Sequence, residues 1–190
     1  MSLKHAILGF LSYKSLSGYD LKKAFDKSVR HFWSANQSQI YRTLAQMTDE
    51  GLVEREVVER EERLDMKIYS ITNTGRSELH NWLTTPLPER ETREPFLIQI
   101  FFGGTLSDEE LLKLLHHESK SAKENLLAYH AIYQATTTPR VGESSTDARS
   151  FFFRLLTLEY GMESNRALLK WLNSAIERIE VKNYSPKALK

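Results

Sequence analysis

The chain has 190 residues, 41% of them hydrophobic and 27% charged, a formal net charge of +1 and no cysteine. That composition excludes a mainly disordered or collagen-like chain, a disulfide framework, a thiolate zinc site and a cysteine nucleophile. The small net charge hides an uneven distribution: residues 1–48 carry seven Lys/Arg against two acids, residues 49–85 five against nine, and residues 86–190 fourteen of each.

Leu3, Ala6, Ile7, Phe10 and Leu11 recur at helical spacing after Ser2, a candidate N-cap, and predict a short first helix. S-G-Y-D from Ser17 pairs a cap with an acid three residues on; Leu21, Ala24, Phe25 and Val29 then form an apolar stripe opposite Lys22, Lys23 and Lys27. Ser34 is the expected cap of a third helix, with Ile40, Leu44 and Met47 on its inner face and an end near Gly51. The period then changes. Leu52 to Arg60 and Met66 to Thr72 are rich in Val, Ile and Tyr and predict a two-stranded hairpin with E-E-R-L-D at its charged tip. Thr72 caps a fourth helix containing Leu79, Trp82 and Leu83, and the proline-containing stretch 84–93 is a linker.

Beyond the linker, Phe96, Leu97, Ile100 and Phe101 predict a short helix that stops at Gly103-Gly104. S-D-E-E at Ser107 opens a long helix that runs to Tyr133, T-T-T-P-R-V-G-E-S-S breaks it, and a last helix spans about Asp147 to Val181. The domain reading is 1–83, a linker at 84–93, a helical domain at 94–181 and a tail at 182–190. Two helices of that length expose more apolar surface than a hundred residues can bury alone, so a second copy of the chain is expected. Leu155, Leu158, Met162, Leu169 and Leu172, with Trp171 beside them, are the expected dimer seam. The adjacent Phe151, Phe152 and Phe153, like Phe101 and Phe102, fit an intermolecular core better than a ligand pocket.

The fold class is therefore mainly α. Three helices, a hairpin and a fourth helix follow in the order of a winged helix-turn-helix, whose third helix enters the major groove of DNA. On a helical wheel Ser38, Arg42, Ala45 and Asp49 lie opposite the apolar face, flanked by Gln39 and Tyr41. Gln can pair with adenine, Arg with guanine, and Ser or Tyr with phosphate or base edges, and no acid intervenes before Asp49. Lys22, Lys23 and Tyr19 suit phosphate contact from the second helix, and Lys67 from the hairpin. Acids crowd the hairpin tip, so only a shallow wing contact is expected. Tyr69 fits core packing as well as DNA contact.

SLSGYDLKKAF, FWSANQSQIYRTLAQMTDEGLVERE and MKIYSITNTGRSELHNWL together resemble the PadR family of bacterial transcriptional regulators, and L-E-Y-G with R-A-L-L-K-W-L resembles its long C-terminal helical domain. The resemblance implies a homodimeric repressor of a palindromic operator, relieved in several members by a small, often aromatic ligand such as a phenolic acid. Carried onto this chain, it marks Gln37, Ser38, Gln39, Tyr41, Arg42, Tyr19 and Lys67 as the DNA-contacting set. Asn73 stands where the family often has proline.

No enzyme motif accompanies this pattern: G-x-S-x-G, a P-loop and G-x-G-x-x-G are all absent from the sequence. His116 and His117 point about 100° apart on a helix and cannot share a metal ion, so neither metal nor cofactor is expected. No apolar run reaches the roughly 18 residues of a membrane span. The start of the chain lacks a small-residue cleavage site, so the expected location is the cytoplasm, with no membrane partner. The competing reading is a winged-helix scaffold that binds protein and not DNA, for which the acidic hairpin and the near-neutral charge speak.

Overall fold

The computed structural model describes residues 2–30, 32–59, 66–89, 93–137 and 148–185. They fall into two compact units, 1–90 and 91–190. Among them no helix is long and apolar enough to cross a membrane. The expected hairpin tip, the break after the long helix, the middle of the linker and the end of the tail lie outside the described residues.

The first unit runs α1 (Ser2–Leu11), β1 (Leu16–Ser17), α2 (Gly18–Lys27), α3 (Gln37–Asp49), β2 (Val53–Val58), β3 (Met66–Ile71) and α4 (Asn73–Thr84). Its core gathers the apolar faces that the periodicity marks: Ile7, Leu8 and Leu11 from α1, Leu21 and Phe25 from α2, Ile40, Leu44 and Met47 from α3. Fully burying one such side chain contributes about 1.5–3 kcal/mol, so this cluster and not helix propensity holds the short helices in place.

Each boundary has a local cause. The Ser17 hydroxyl accepts from the Asp20 amide at 3.1 Å and caps α2. Thr72 caps α4 by accepting from the Gly75 amide at 3.0 Å, while its hydroxyl donates to the Gly51 carbonyl at 2.8 Å. Gly51, at φ 68°, ends α3, and the Leu52 amide turns back to the Met47 carbonyl at 2.9 Å.

One expectation needs correction. The cap of α3 is Asn36, not Ser34: Asn36 Oδ1 accepts from the Gln39 amide and Gln39 Oε1 accepts from the Asn36 amide, both at 2.9 Å, a reciprocal capping box. Asn36 wins because Ala35 is buried and belongs to the core, which places the turn into α3 after it. The expected hairpin forms, with β2 and β3 paired from Val53 opposite Ile71 to Val58 opposite Met66. β1 adds a third antiparallel strand in the order β1-β3-β2, pairing Leu16 with Tyr69 and Ser17 with Ile68. Two residues are too few to show a period, so the sequence carries no signal for this strand.

α1 and α4 are tied at a polar junction. His5 is buried, stacks on Trp82 with ring centroids 4.5 Å apart, and its Nε2 lies 3.1 Å from Glu78 Oε1. Lys4 Nζ reaches the same carboxylate oxygen at 2.9 Å. These bonds to Lys4 and then His5 hold the Glu78 carboxyl below its ordinary pKa.

The second unit contains α5 (Pro95–Phe101), a 3₁₀ turn (Gly103–Thr105), α6 (Asp108–Thr137) and α7 (Ala148–Glu180). Ser107 opens α6 with its hydroxyl and amide on Glu110 Oε2, at 2.6 and 2.9 Å. α6 and α7 pack along their length, with a core of Leu115, Leu172 and Ile176. Past α7 the Tyr184 hydroxyl donates to the Asp108 carboxylate at 2.7 and 2.9 Å, clipping the tail to the first turn of α6.

Candidate nucleic-acid interface

Burying Ile40, Leu44 and Met47 forces the other side of α3 outward. Gln37, Ser38, Gln39, Tyr41 and Arg42 are all exposed, and so are Ala45, Gln46 and Asp49 further along. The first two turns of this face therefore present amide, hydroxyl, phenol and guanidinium groups with no carboxylate. Such a set can bond to base edges and phosphates in a major groove, which an α-helix fits.

The side chains differ in what they have left to offer. Gln39 spends its carbonyl oxygen on the Asn36 amide, so its amide nitrogen alone remains for an outside acceptor. Gln37, Ser38 and Arg42 lie on the open face without that commitment in the cap. Tyr41 is 40% exposed, and its ring rests over Gly18 at the start of α2.

α2 adds cations beside this face. Lys23 Nζ stands 4.8 Å from the centroid of the Tyr19 ring, and Tyr19 is 57% exposed. Lys22 pairs with Asp26 one turn on, which cancels part of its charge at a distance. An open groove of about 430 Å³ separates the second half of α2 from the cap of α3, with Lys22, Arg30 and Trp33 on its lining. Arg30 thus extends the positive edge beyond the candidate set.

On the sheet, Lys67 is exposed and sits opposite Val57 on β2. Tyr69 is buried in the core at 5% exposure, and burial pushes its hydroxyl pKa up despite Arg55 across the strand pair. That assigns Tyr69 to packing. β2 itself is exposed from Glu54 to Val58 and is an edge strand of the sheet. It carries Arg55, a cation absent from the sequence reading, between Glu54 and Glu56.

In the second unit the expected seam residues separate into two groups. Leu158, Met162 and Leu172 are buried within the single chain at 4%, 6% and 0% exposure, so their apolar surface is already covered. Leu155 and Leu169 are half-buried, and Trp171 is exposed, its ring perpendicular to that of Phe96 with centroids 6.2 Å apart. Large apolar side chains do remain exposed: Ile98 and Phe101 on α5, Phe102 after it, and Phe152, Phe153 and Tyr160 on α7. Among the described residues no group of three or more His, Asp or Glu could hold a metal ion.

Two family models match the chain in tandem: the transcriptional regulator PadR-like family over residues 7–81, and the virulence activator alpha C-terminal family over residues 92–180. The chain is similar to the negative transcriptional regulator PadR of Bacillus subtilis, at 33% identity over 182 residues, covering 94% of this chain and 97% of that protein. Among solved structures it resembles Bacillus subtilis PadR in complex with operator DNA, with a TM-score of 0.81 and 32% identity over 94% of this chain and 99% of that one. The same relative in complex with p-coumaric acid matches at a TM-score of 0.77 and 32% identity, over 94% of this chain and 95% of that one.

Proposed function

The chain belongs to the PadR-like family of transcriptional regulators, and from that premise we propose that it is a homodimeric repressor whose two α3 helices occupy the half-sites of a palindromic operator. The observation that carries this reading is the outer face of α3, where Gln37, Ser38, Tyr41 and Arg42 stand exposed with no acid before Asp49. Arg42 is the residue assigned to base reading, through the paired acceptors of a guanine. Tyr19, Lys23 and Lys67 contact phosphate, with Lys22 contributing what Asp26 leaves of its charge, and set the register of the protein on the duplex. Repression follows from occlusion of the promoter, in the cytoplasm, where the DNA is.

The family relative was solved with operator DNA and with p-coumaric acid. Those two partners support a duplex partner for this chain and a small aromatic acid as the effector that releases it. The exposed apolar side chains of α5 and α7 support the second copy as the other partner, because covering them against another surface removes apolar area from water.

Footprinting on the DNA upstream of the protein's own gene tests the reading. Protection of a palindrome with half-site centres about one helical turn, roughly 34–36 Å, apart is expected. The Arg42→Ala protein, folded as judged by circular dichroism, should lose about 1–3 kcal/mol of operator affinity. An unchanged footprint in that variant would remove Arg42 from the reading set, and protection without symmetry would count against the dimer.

A further inference from the structure

Gly18 is the first residue of α2 and is buried, although its neighbour Tyr19 is largely exposed. What covers it is the ring of Tyr41 from α3. A methyl group placed on Gly18 would lie 2.5 Å from Tyr41 Cε1, 2.7 Å from Cζ and 3.1 Å from Cδ1. The ring therefore lies across the backbone of Gly18 in a seat that exists only because no side chain is there. The seat is itself fixed, since the Ser17 hydroxyl accepts from the Asp20 amide and donates to the Asp20 carboxylate at 2.6 Å.

Backbone conformation does not explain the glycine. Gly18 is not at positive φ; among the described residues the positive-φ glycine is Gly51. Alanine would be accepted by the helix there and would favour it over glycine. What alanine would not tolerate is the ring. That ring is the free end of a side chain 40% exposed to solvent. It can yield by rotating away from α2, towards the open side of α3, where the reading above places the duplex.

We propose that Gly18 is a positioning residue for DNA recognition: the empty space at its Cα seats the Tyr41 ring and aims the phenol along α3, so Gly18 sets operator affinity without touching DNA. The proposal rests on the assignment of α3 as the recognition helix. It explains why the S-G-Y-D entry to α2 and the Q-I-Y of α3 occur together in one chain, since each supplies half of a single contact.

A double-mutant cycle tests it, with thermal unfolding and operator affinity measured on the full-length protein for wild type, Gly18→Ala, Tyr41→Ala and the double variant. Gly18→Ala should unfold within about 2 °C of wild type, because a surface ring and not backbone gives way. It should bind operator about tenfold more weakly, the loss expected for one misplaced groove contact. In the Tyr41→Ala background Gly18→Ala should have no further effect on binding, which a general loss of fold would not produce. Tyr41→Phe keeps the ring in the seat but removes the phenol that the seat aims, so Gly18→Ala should add little further loss of binding in that background.

Wild-type affinity in Gly18→Ala, a full additional loss on top of Tyr41→Ala, or collapse of its melting temperature would each overturn the seat. If wild type itself failed to distinguish operator from scrambled DNA, the assignment of α3 would fall and this inference with it. Tight wild-type binding left untouched by Gly18→Ala would remove the seat alone.

Discussion

Glu78 shows what one residue can and cannot announce. In the sequence it is one acid in an acidic stretch, and His5 is a scattered histidine. The structure joins them, with Glu78 taking His5 and Lys4 on the same oxygen while Trp82 stacks on the imidazole. Contacts between residues 73 positions apart leave no trace in local pattern. The consequence is pH-dependent. Because the folded-state pKa of Glu78 is depressed, chiefly by Lys4 and then His5, its contribution to stability is present in full above the unfolded value near 4.3. It is lost as pH falls through the folded value. The melting temperature of wild type minus that of Glu78→Gln should therefore be positive near neutrality and shrink as pH drops below about 4.3. A difference that stays constant from neutrality into acid would contradict this. Tyr69 and Gln39 make the same point about the site. Both have groove-contact chemistry, yet burial commits the first to the core and the helix cap takes half of the second's amide.

At the scale of elements, periodicity was a sound guide wherever a helix had to bury a stripe. Ile40, Leu44 and Met47 emerge on the inner face of α3 as the spacing implies, and the outward face follows by geometry. Boundaries were legible where one capping pattern stood alone, as at Ser17, Thr72 and Ser107. Ahead of α3 two patterns competed. Ser34 and Asn36 can both cap, and the choice depended on Ala35 entering the core, a tertiary fact. Asn36→Ala should lower stability by about 1 kcal/mol in denaturant unfolding, and Ser34→Ala by much less. Equal losses from the two would argue against the observed cap. Since the cap fixes where α3 begins, Asn36→Ala should weaken operator binding as well. β1 lay beyond the reach of pattern, because its two residues earn their place only through pairing with β3.

The described residues form two compact units, 1–90 and 91–190, while the sequence shows an uneven charge distribution and a proline-containing stretch. The seam was not separable by pattern, because a leucine that packs against its own hairpin and one that packs against a second chain have the same period. Leu158, Met162 and Leu172 are satisfied inside the α6–α7 pair, so glutamate at Leu158 and Met162 would damage that pair before it reported on a dimer. A cleaner test uses side chains already in solvent. Ile98→Glu with Phe101→Glu, both exposed in the single chain at 61% and 82%, should leave helicity intact and shift the protein to a monomer by light scattering. The monomer should bind operator far more weakly, because two half-sites are then no longer engaged together. A double variant that stays dimeric would move the interface away from α5.

A recognition face on α3 must tell one duplex from another by sequence. Fluorescence anisotropy of the full-length protein, against DNA from upstream of its own gene and against scrambled DNA of equal length at about 150 mM salt, tests that claim most directly. Binding at roughly 10⁻⁸ M or tighter to the first is expected, and at least about a thousandfold weaker binding to the second. Equal affinity for both, or no binding to either even at low salt, would contradict it.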